Sequence, residues 1–109
     1  MISSEIVITQ ADQGKTIEAH QGDVILLRLE ENLTTGYEWE TETMAGAVLE
    51  TVESTYVQEQ GKLMGRGGTR VVRFKAEASG NQEVHLKLRR SWEPPEKSLK
   101  RFDVTIKVR

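Results

Sequence analysis

Apolar and polar residues alternate with a period of two along much of this chain, and this pattern restricts its fold more than any other feature. In the segments 72–78, 84–89 and 101–108, the apolar residues fall on the even positions and charged or polar residues fill the odd ones. Successive side chains of a β-strand point to opposite faces of a sheet. Each segment is therefore predicted to be a strand with one buried and one solvated face.

Further strand candidates extend this pattern over the rest of the chain. They are 23–30, 37–41 and, with weaker alternation, 5–9, 15–19 and 47–57. No segment has a helical period, apart from a possible turn near 93–100, and nothing between the strands is long enough for a crossover helix. With 109 residues, the chain suits one domain, 1–109, built as an all-β antiparallel sandwich of seven to eight strands.

The connections between these strands are of two kinds that alternate along the chain. Tight turns are predicted at Gln21–Gly22, Ala45–Gly46 and Ser79–Asn81, and longer loops at 31–36, 58–68 and 91–100. In an antiparallel sandwich, successive connections lie at opposite ends. We therefore expect the three long loops to converge at one end and the tight turns to lie at the other.

The composition excludes several classes of function. The 15 Lys and Arg nearly balance the 17 Asp and Glu, so no overall field favours nucleic acid or an anionic membrane as a partner. The chain contains no cysteine, which excludes disulfides, thiolate metal sites and a cysteine nucleophile. Stability must then come from the apolar core.

Nothing in the sequence predicts a membrane segment or a leader. The first five residues lack a basic start and an apolar run, and no stretch approaches the roughly 18 apolar residues of a membrane helix. We expect a soluble domain, either cytoplasmic or exported after removal of a leader. Lys and Arg along 101–109, taken as a candidate edge strand, argue against pairing with a second copy, so we expect a monomer.

An enzymatic function is not supported by the two histidines. His20 lies near a tight turn and His85 on the solvated face of a strand, and neither has an acidic residue and a serine at a catalytic spacing. No cluster of His, Asp or Glu has metal-ligand spacing. We therefore predict no enzyme, no metal and no cofactor.

The first long loop has the composition of a surface presented to a partner. Thr34 and Thr35 supply hydroxyls on stiff stems, Gly36 lets the backbone bend or approach another molecule closely, and Tyr37 anchors the exit. An ordinary hairpin turn would use similar residues, so this loop alone does not decide between the two interpretations.

The other two long loops also allow a functional and a plain interpretation. The run 65–68, Gly-Arg-Gly-Gly, lacks the Lys and Ser or Thr of a phosphate loop; it could offer exposed backbone groups to another chain or be a simple hairpin tip. Trp92 beside Arg90 could be an exposed binding hot spot or a lid over the core. Trp39, on a strand, is predicted to be core.

Taken together, Asn-x-Thr-Thr-Gly-Tyr, Gly-x-Gly-Gly and Arg-x-Trp occur in an order and at spacings that resemble the chagasin family of cysteine-peptidase inhibitors. The resemblance covers nearly the whole chain. It implies an immunoglobulin-like sandwich that presents three loops to a papain-like cysteine peptidase, its protein partner. The implied peptidase-binding residues are Asn32, Leu33, Thr34, Thr35, Gly36, Tyr37, Gly65, Arg66, Gly67, Gly68, Arg90, Ser91 and Trp92.

The resemblance further implies that Thr34 to Gly36 enter the catalytic cleft while the other two loops clamp its flanks. The chain departs from the family at Leu33 and Ser91, where proline is usual. Each missing proline could cost about 0.4 to 1 kcal/mol through a more flexible loop. The rival interpretation is an immunoglobulin-like domain that recognises a protein or a carbohydrate through Tyr37 and Trp92. Loop geometry separates the two, because an inhibitor needs one wedge and a sugar binder an array of rings.

Overall fold

The computed structural model describes residues 4–32, 35–42, 44, 46–58 and 67–109. Within these residues the chain forms eight strands: β1 Glu5–Thr9, β2 Thr16–Ala19, β3 Val24–Glu31, β4 Glu38–Thr41, β5 Leu49–Gln58, β6 Gly68–Ala76, β7 Gly80–Arg89 and β8 Lys100–Val108. Short 3-10 turns occupy Gln10–Asp12 and Pro95–Lys97, the second at the predicted turn. None of the described helical segments is long and apolar enough to cross a membrane.

The strands form two four-stranded sheets, and the predicted sandwich is confirmed. The strand order is β1-β3-β6-β5 in the first sheet and β2-β8-β7-β4 in the second. Four of the pairs are antiparallel, but β1 pairs with β3, and β2 with β8, in parallel. This occurs because the chain crosses from the edge of one sheet to the edge of the other through the 3-10 turn at Gln10–Asp12, instead of folding back as a hairpin.

The core lies between the sheets and consists of the residues that the alternation predicts. Its buried apolar members are Ile8, Ala19, Ile25, Leu27, Leu29, Trp39, Leu49, Val72, Phe74, Ala76, Val84, Leu86, Leu88, Phe102, Val104, Ile106 and Val108. One boundary differs from the prediction. β6 ends at Ala76 and does not reach Ala78, because the backbone N–H groups of Glu77 and Ala78 donate to the Val48 carbonyl and turn the chain.

The carboxyl-terminal strand is an interior strand, which corrects the predicted edge. β8 pairs with β2 on one side and with β7 on the other, so the basic residues of 101–109 do not protect an open edge. The alternation of a strand does not depend on how many neighbours it has, so the sequence pattern could not reveal this position. The argument for a monomer from that strand therefore falls.

The register of the strands brings the long connections to one end of the sandwich. In the first sheet, the end of β3 and the end of β5 both lie beside the start of β6, where Glu31 and Gln58 flank Gly68. In the second sheet, the starts of β4 and β8 lie beside the end of β7. We call this end the loop pole. The predicted convergence is thus confirmed by the strands that carry the loops.

Candidate functional site

A buried carboxylate joins the two sheets at the root of the loop pole. Glu31, the last residue of β3, is 3% exposed. Its Oε1 accepts a hydrogen bond from the backbone N–H of Trp39 at 2.6 Å, and its Oε2 accepts one from Arg70 Nη2 at 2.8 Å. The indole N–H of Trp39 donates to the carbonyl of Glu30 at 2.8 Å, which confirms that Trp39 belongs to the core. These bonds fix where the first loop leaves and re-enters the sandwich.

The described part of the first loop is a compact turn. The backbone N–H and the hydroxyl of Thr35 both donate to the carbonyl of Asn32, at 3.2 and 2.8 Å. Gly36 follows with φ at 80°, a conformation that favours glycine. Leu33 and Thr34, which the sequence also assigns to the binding surface, lie outside the described residues.

The third loop contacts the first through three side chains, Tyr37, Arg90 and Trp92, which we call the arginine cluster. The Arg90 guanidinium lies 4.4 Å from the Tyr37 ring centroid and 5.9 Å from that of Trp92. Its Nε donates to the Thr35 carbonyl at 3.1 Å. Cation–π contacts of this kind stabilise by about 0.5 to 1 kcal/mol at exposed sites. The arginine cluster therefore stabilises the contact between the first loop and the third loop.

The sequence allowed Trp92 either an exposed position or a position over the core, and the structure shows the exposed one. The residue is 70% exposed, so it does not cover the core. The tip of its ring lies over Gly36, where a Cβ atom would be only 2.6 Å from Trp92 Cη2. The glycine therefore allows the indole to lie directly on the first loop. Ser91, also exposed, lies in the same turn as Trp92.

The third loop is also held from the end of β7. Arg89 donates from Nη2 to the Glu93 carbonyl at 2.6 Å and from Nη1 to Glu40 at 2.9 Å. The backbone N–H of Glu93 donates to the Arg90 carbonyl at 3.0 Å and closes a turn. Because Glu40 belongs to β4, this contact also joins the third loop to the strand that follows the first.

The two described glycines of the second loop lie at its root. Gly67 has φ at 77°, and a Cβ atom there would be 2.8 Å from the Glu31 carbonyl oxygen. Gly68 is buried and begins β6, where a Cβ atom would be 2.2 Å from the Val57 carbonyl oxygen. The sequence interpretation treated Gly68 as part of an exposed tip, but it is a strand residue that lets the hairpin close. Gly65 and Arg66 lie outside the described residues.

Sequence reasoning missed Glu31 and Arg70, although a signal was present. The buried residues of β3 are Ile25, Leu27 and Leu29, and Glu31 continues the same phase. A charged residue in an apolar phase requires a buried partner. The partner could not be identified from sequence, because Arg70 is distant along the chain and its position depends on the pairing of β3 with β6.

The histidines lie away from the loop pole or on the outer face of a sheet. His85 Nδ1 is 2.5 Å from Asp103 Oδ1 on the outer face of the second sheet. Burial acts to raise the pKa of Asp103, but the hydrogen bond to His85 and the charge of Arg101 outweigh it and hold that pKa below its usual value. Among the described residues, neither histidine hydrogen-bonds a serine or threonine hydroxyl. This arrangement is a hydrogen-bonded pair on the sheet surface.

Comparison with known proteins now adds to this geometry. A family model described as chagasin family peptidase inhibitor I42 matches residues 18–106. The chain belongs to this family. Chagasin from Trypanosoma cruzi is 32% identical over 105 residues, which cover 93% of this chain and 96% of chagasin. The predicted membership of the chagasin-family cysteine-peptidase inhibitors is confirmed, and so is the prediction that this inhibitor is not an enzyme.

Solved structures establish the fold of this chagasin-family inhibitor independently. The cysteine protease inhibitor EhICP2 from Entamoeba histolytica superposes with a TM-score of 0.86 at 20% identity, over 100% of this chain and 99% of that chain. PbICP-C, solved in complex with falcipain-2, gives a TM-score of 0.61 at 17% identity, over 98% of this chain and 91% of that chain. The immunoglobulin-like sandwich predicted from the sequence is confirmed.

Proposed function

We propose that the loop pole is the surface with which this inhibitor occludes the active-site cleft of a papain-like cysteine peptidase. The observation that carries the proposal is the joining of loops from both sheets at one end through the arginine cluster and Glu31. A cleft is a concave site, and a convex, preorganised group of loops is the shape that fills one. The relative PbICP-C has been solved with falcipain-2, a papain-like peptidase, which supports the same partner class.

The binding surface consists of the three loops. Its residues are Asn32, Leu33, Thr34, Thr35, Gly36, Tyr37, Gly65, Arg66, Gly67, Gly68, Arg90, Ser91 and Trp92. Thr34, Thr35 and Gly36 occupy the centre of the cleft above the catalytic thiol, and the other two loops contact its flanks. Gly67 and Gly68 act from the root: the lack of a side chain at Gly67 allows it to lie against Glu31 and Asn32, and the lack of one at Gly68 allows it to lie against Val57 of β5.

Inhibition is noncovalent and reversible in this proposal, because the described carbonyl of the central loop, that of Thr35, is not presented for attack. Attack by a cysteine peptidase requires a carbonyl oxygen that can enter an oxyanion hole. The Thr35 carbonyl accepts a hydrogen bond from Arg90 Nε at 3.1 Å and is therefore directed toward the inhibitor's own third loop. The loop fills the channel while this carbonyl stays engaged.

Affinity comes from an exposed anchor on a stiff support. Trp92 is 70% exposed, and tryptophan is among the residues most often found at binding hot spots. The family's usual prolines are absent at Leu33 and Ser91, but stacking on Arg90 restricts the same two loops. An interface of ordinary size, roughly 1,600 Å² in total, accommodates three loops of this length.

The proposal is tested by titrating papain with the purified protein and following hydrolysis of a fluorogenic peptide. We expect activity to fall to near zero at stoichiometric amounts, to return on dilution, and to leave the inhibitor uncleaved by mass spectrometry. The matched variants are Arg90→Gln at the loop pole and Arg109→Gln, which removes the ion pair with Glu18 at the other end. If Arg90→Gln weakens inhibition of papain and Arg109→Gln does not, the binding surface is at the loop pole. Full activity of papain with excess wild-type inhibitor would refute the proposal.

A further inference from the structure

We infer that Glu31 is a positioning residue for inhibition, whose buried carboxylate fixes the first and second loops relative to each other. This inference rests on the proposed function of the loop pole. Glu31 does not face the peptidase; it acts through the backbone of Trp39 and the side chain of Arg70. Nothing in the family resemblance assigns a role to this ion pair.

The geometry places Glu31 where the loops begin and end. Its side chain is 0% exposed, and that of Arg70 is 15% exposed. Arg70 donates from Nη2 at 2.8 Å and from Nε at 3.2 and 3.3 Å, so it engages both carboxylate oxygens. Trp39 lies three residues after Gly36, the last residue of the first loop, and Arg70 lies two residues after Gly68, the root of the second loop. One carboxylate therefore holds the exit of each loop against the end of β3.

Stability alone does not account for a charged pair at this position. Glu31 continues the apolar phase of Ile25, Leu27 and Leu29, and an apolar pair in place of a buried ion pair is often neutral or stabilising. A carboxylate that accepts bonds from two directions instead fixes one geometry. The Arg70 guanidinium is further restrained by the Tyr56 ring, whose centroid lies 5.9 Å away.

Loss of this geometry would lower the fraction of inhibitor that is ready to bind. When only a fraction of the free protein has the binding-competent loop arrangement, the apparent dissociation constant rises by the inverse of that fraction. The penalty appears mainly in the association rate, since the loops regain their contacts once they are seated in the cleft. A purely structural residue would instead lower the unfolding temperature without this kinetic effect.

The experiment compares Glu31→Gln with Val108→Ala in papain inhibition assays at a temperature far below unfolding. Val108 is a buried core residue at the opposite end of the sandwich, so its truncation lowers stability without touching the loops. We expect Glu31→Gln to raise the inhibition constant about tenfold, mostly through slower association, and Val108→Ala to change it less than about twofold. Equal effects of the two variants, or a Glu31→Gln value within about twofold of wild type, would overturn the inference.

A second variant keeps the test decisive if Glu31→Gln fails to fold. The double substitution E31L/R70L removes both charges and leaves an apolar pair, but it also removes the acceptor of the Trp39 backbone N–H. We therefore expect its unfolding temperature to fall about as far as that of Val108→Ala, while its inhibition constant rises about tenfold. An unchanged inhibition constant in this variant would contradict a positioning role. Wild-type protein that does not inhibit papain at all would refute the proposed function itself, which is a separate outcome.

Discussion

Replacement of Gly36 by alanine tests whether the contact between the first and third loops controls inhibition. Gly36 has φ at 80°, so an alanine there is strained by about 1 to 2 kcal/mol. Its Cβ atom would also lie 2.6 Å from Trp92 Cη2, which is too close for any real contact. Because the indole tip is an exposed side chain, it yields by turning away, and the inhibitor loses its anchor geometry.

Gly14→Ala is the matched control for the strain. Gly14 has φ at 78°, and a Cβ atom there meets nothing within 4 Å. Both variants should therefore lose about 1 to 2 kcal/mol of unfolding free energy, a fall of on the order of 5 °C in Tm. Only Gly36→Ala displaces Trp92, so it alone should weaken inhibition, by at least about 1 kcal/mol or roughly fivefold in the inhibition constant.

The assay is papain inhibition by wild type, the two alanine variants, Trp92→Ala and the double variant with Gly36→Ala. In the Trp92→Ala background the new Cβ atom has no ring to displace, so Gly36→Ala should add little further weakening. The reasoning is refuted if Gly14→Ala weakens inhibition as much as Gly36→Ala. It is also refuted if Gly36→Ala remains equally costly after Trp92 has been removed.

Three further outcomes are expected from single substitutions. Trp92→Ala should cost at least about 1 kcal/mol of binding with little change in Tm, and an unchanged inhibition constant for papain would remove Trp92 as the anchor. Gly68→Ala should destabilise the fold, because its Cβ atom would lie 2.2 Å from the facing backbone oxygen; a Tm equal to wild type in thermal unfolding would contradict this. The lowered pKa of Asp103 means that its bond with His85 stabilises the protein above pH 3.8, the ordinary value, and that this contribution is lost as the pH falls through the lower folded-state pKa. The difference in unfolding free energy between wild type and Asp103→Asn, measured in urea, should therefore shrink below about pH 3.8, and a constant difference down to pH 2 would argue against it.

Local chemistry in the sequence was sufficient for the fold class and for the location of the loops. The alternation identified the buried faces of β6, β7 and β8, and the two kinds of connection predicted which end carries the long loops. Neither property depends on which strands are neighbours, which is why the interior position of β8 and the two parallel edge pairs were not predicted.

The exposed residues of the candidate site were predictable from the sequence, but the hydrogen bonds and the ion pair that hold its loops were not. Trp92, Gly36 and Arg90 belong to short motifs whose residue types indicate a presented surface. The bond from Arg90 to the Thr35 carbonyl and the ion pair of Glu31 require partners that come together only through sheet register and loop convergence. Such long-range pairs leave no spacing in the sequence by which to recognise them.

Residues 5–19 contribute to both sheets at once, because β1 pairs in parallel with β3 and β2 pairs in parallel with β8. β1 covers the outer side of β3 and β2 covers the outer side of β8, and the two are joined by a single short strap. Proteolytic trimming of this segment would uncover two sheet borders in one event, each able to pair with another molecule. Aggregation of a shortened inhibitor would then begin at the flanks of the sandwich, far from the tips of its loops.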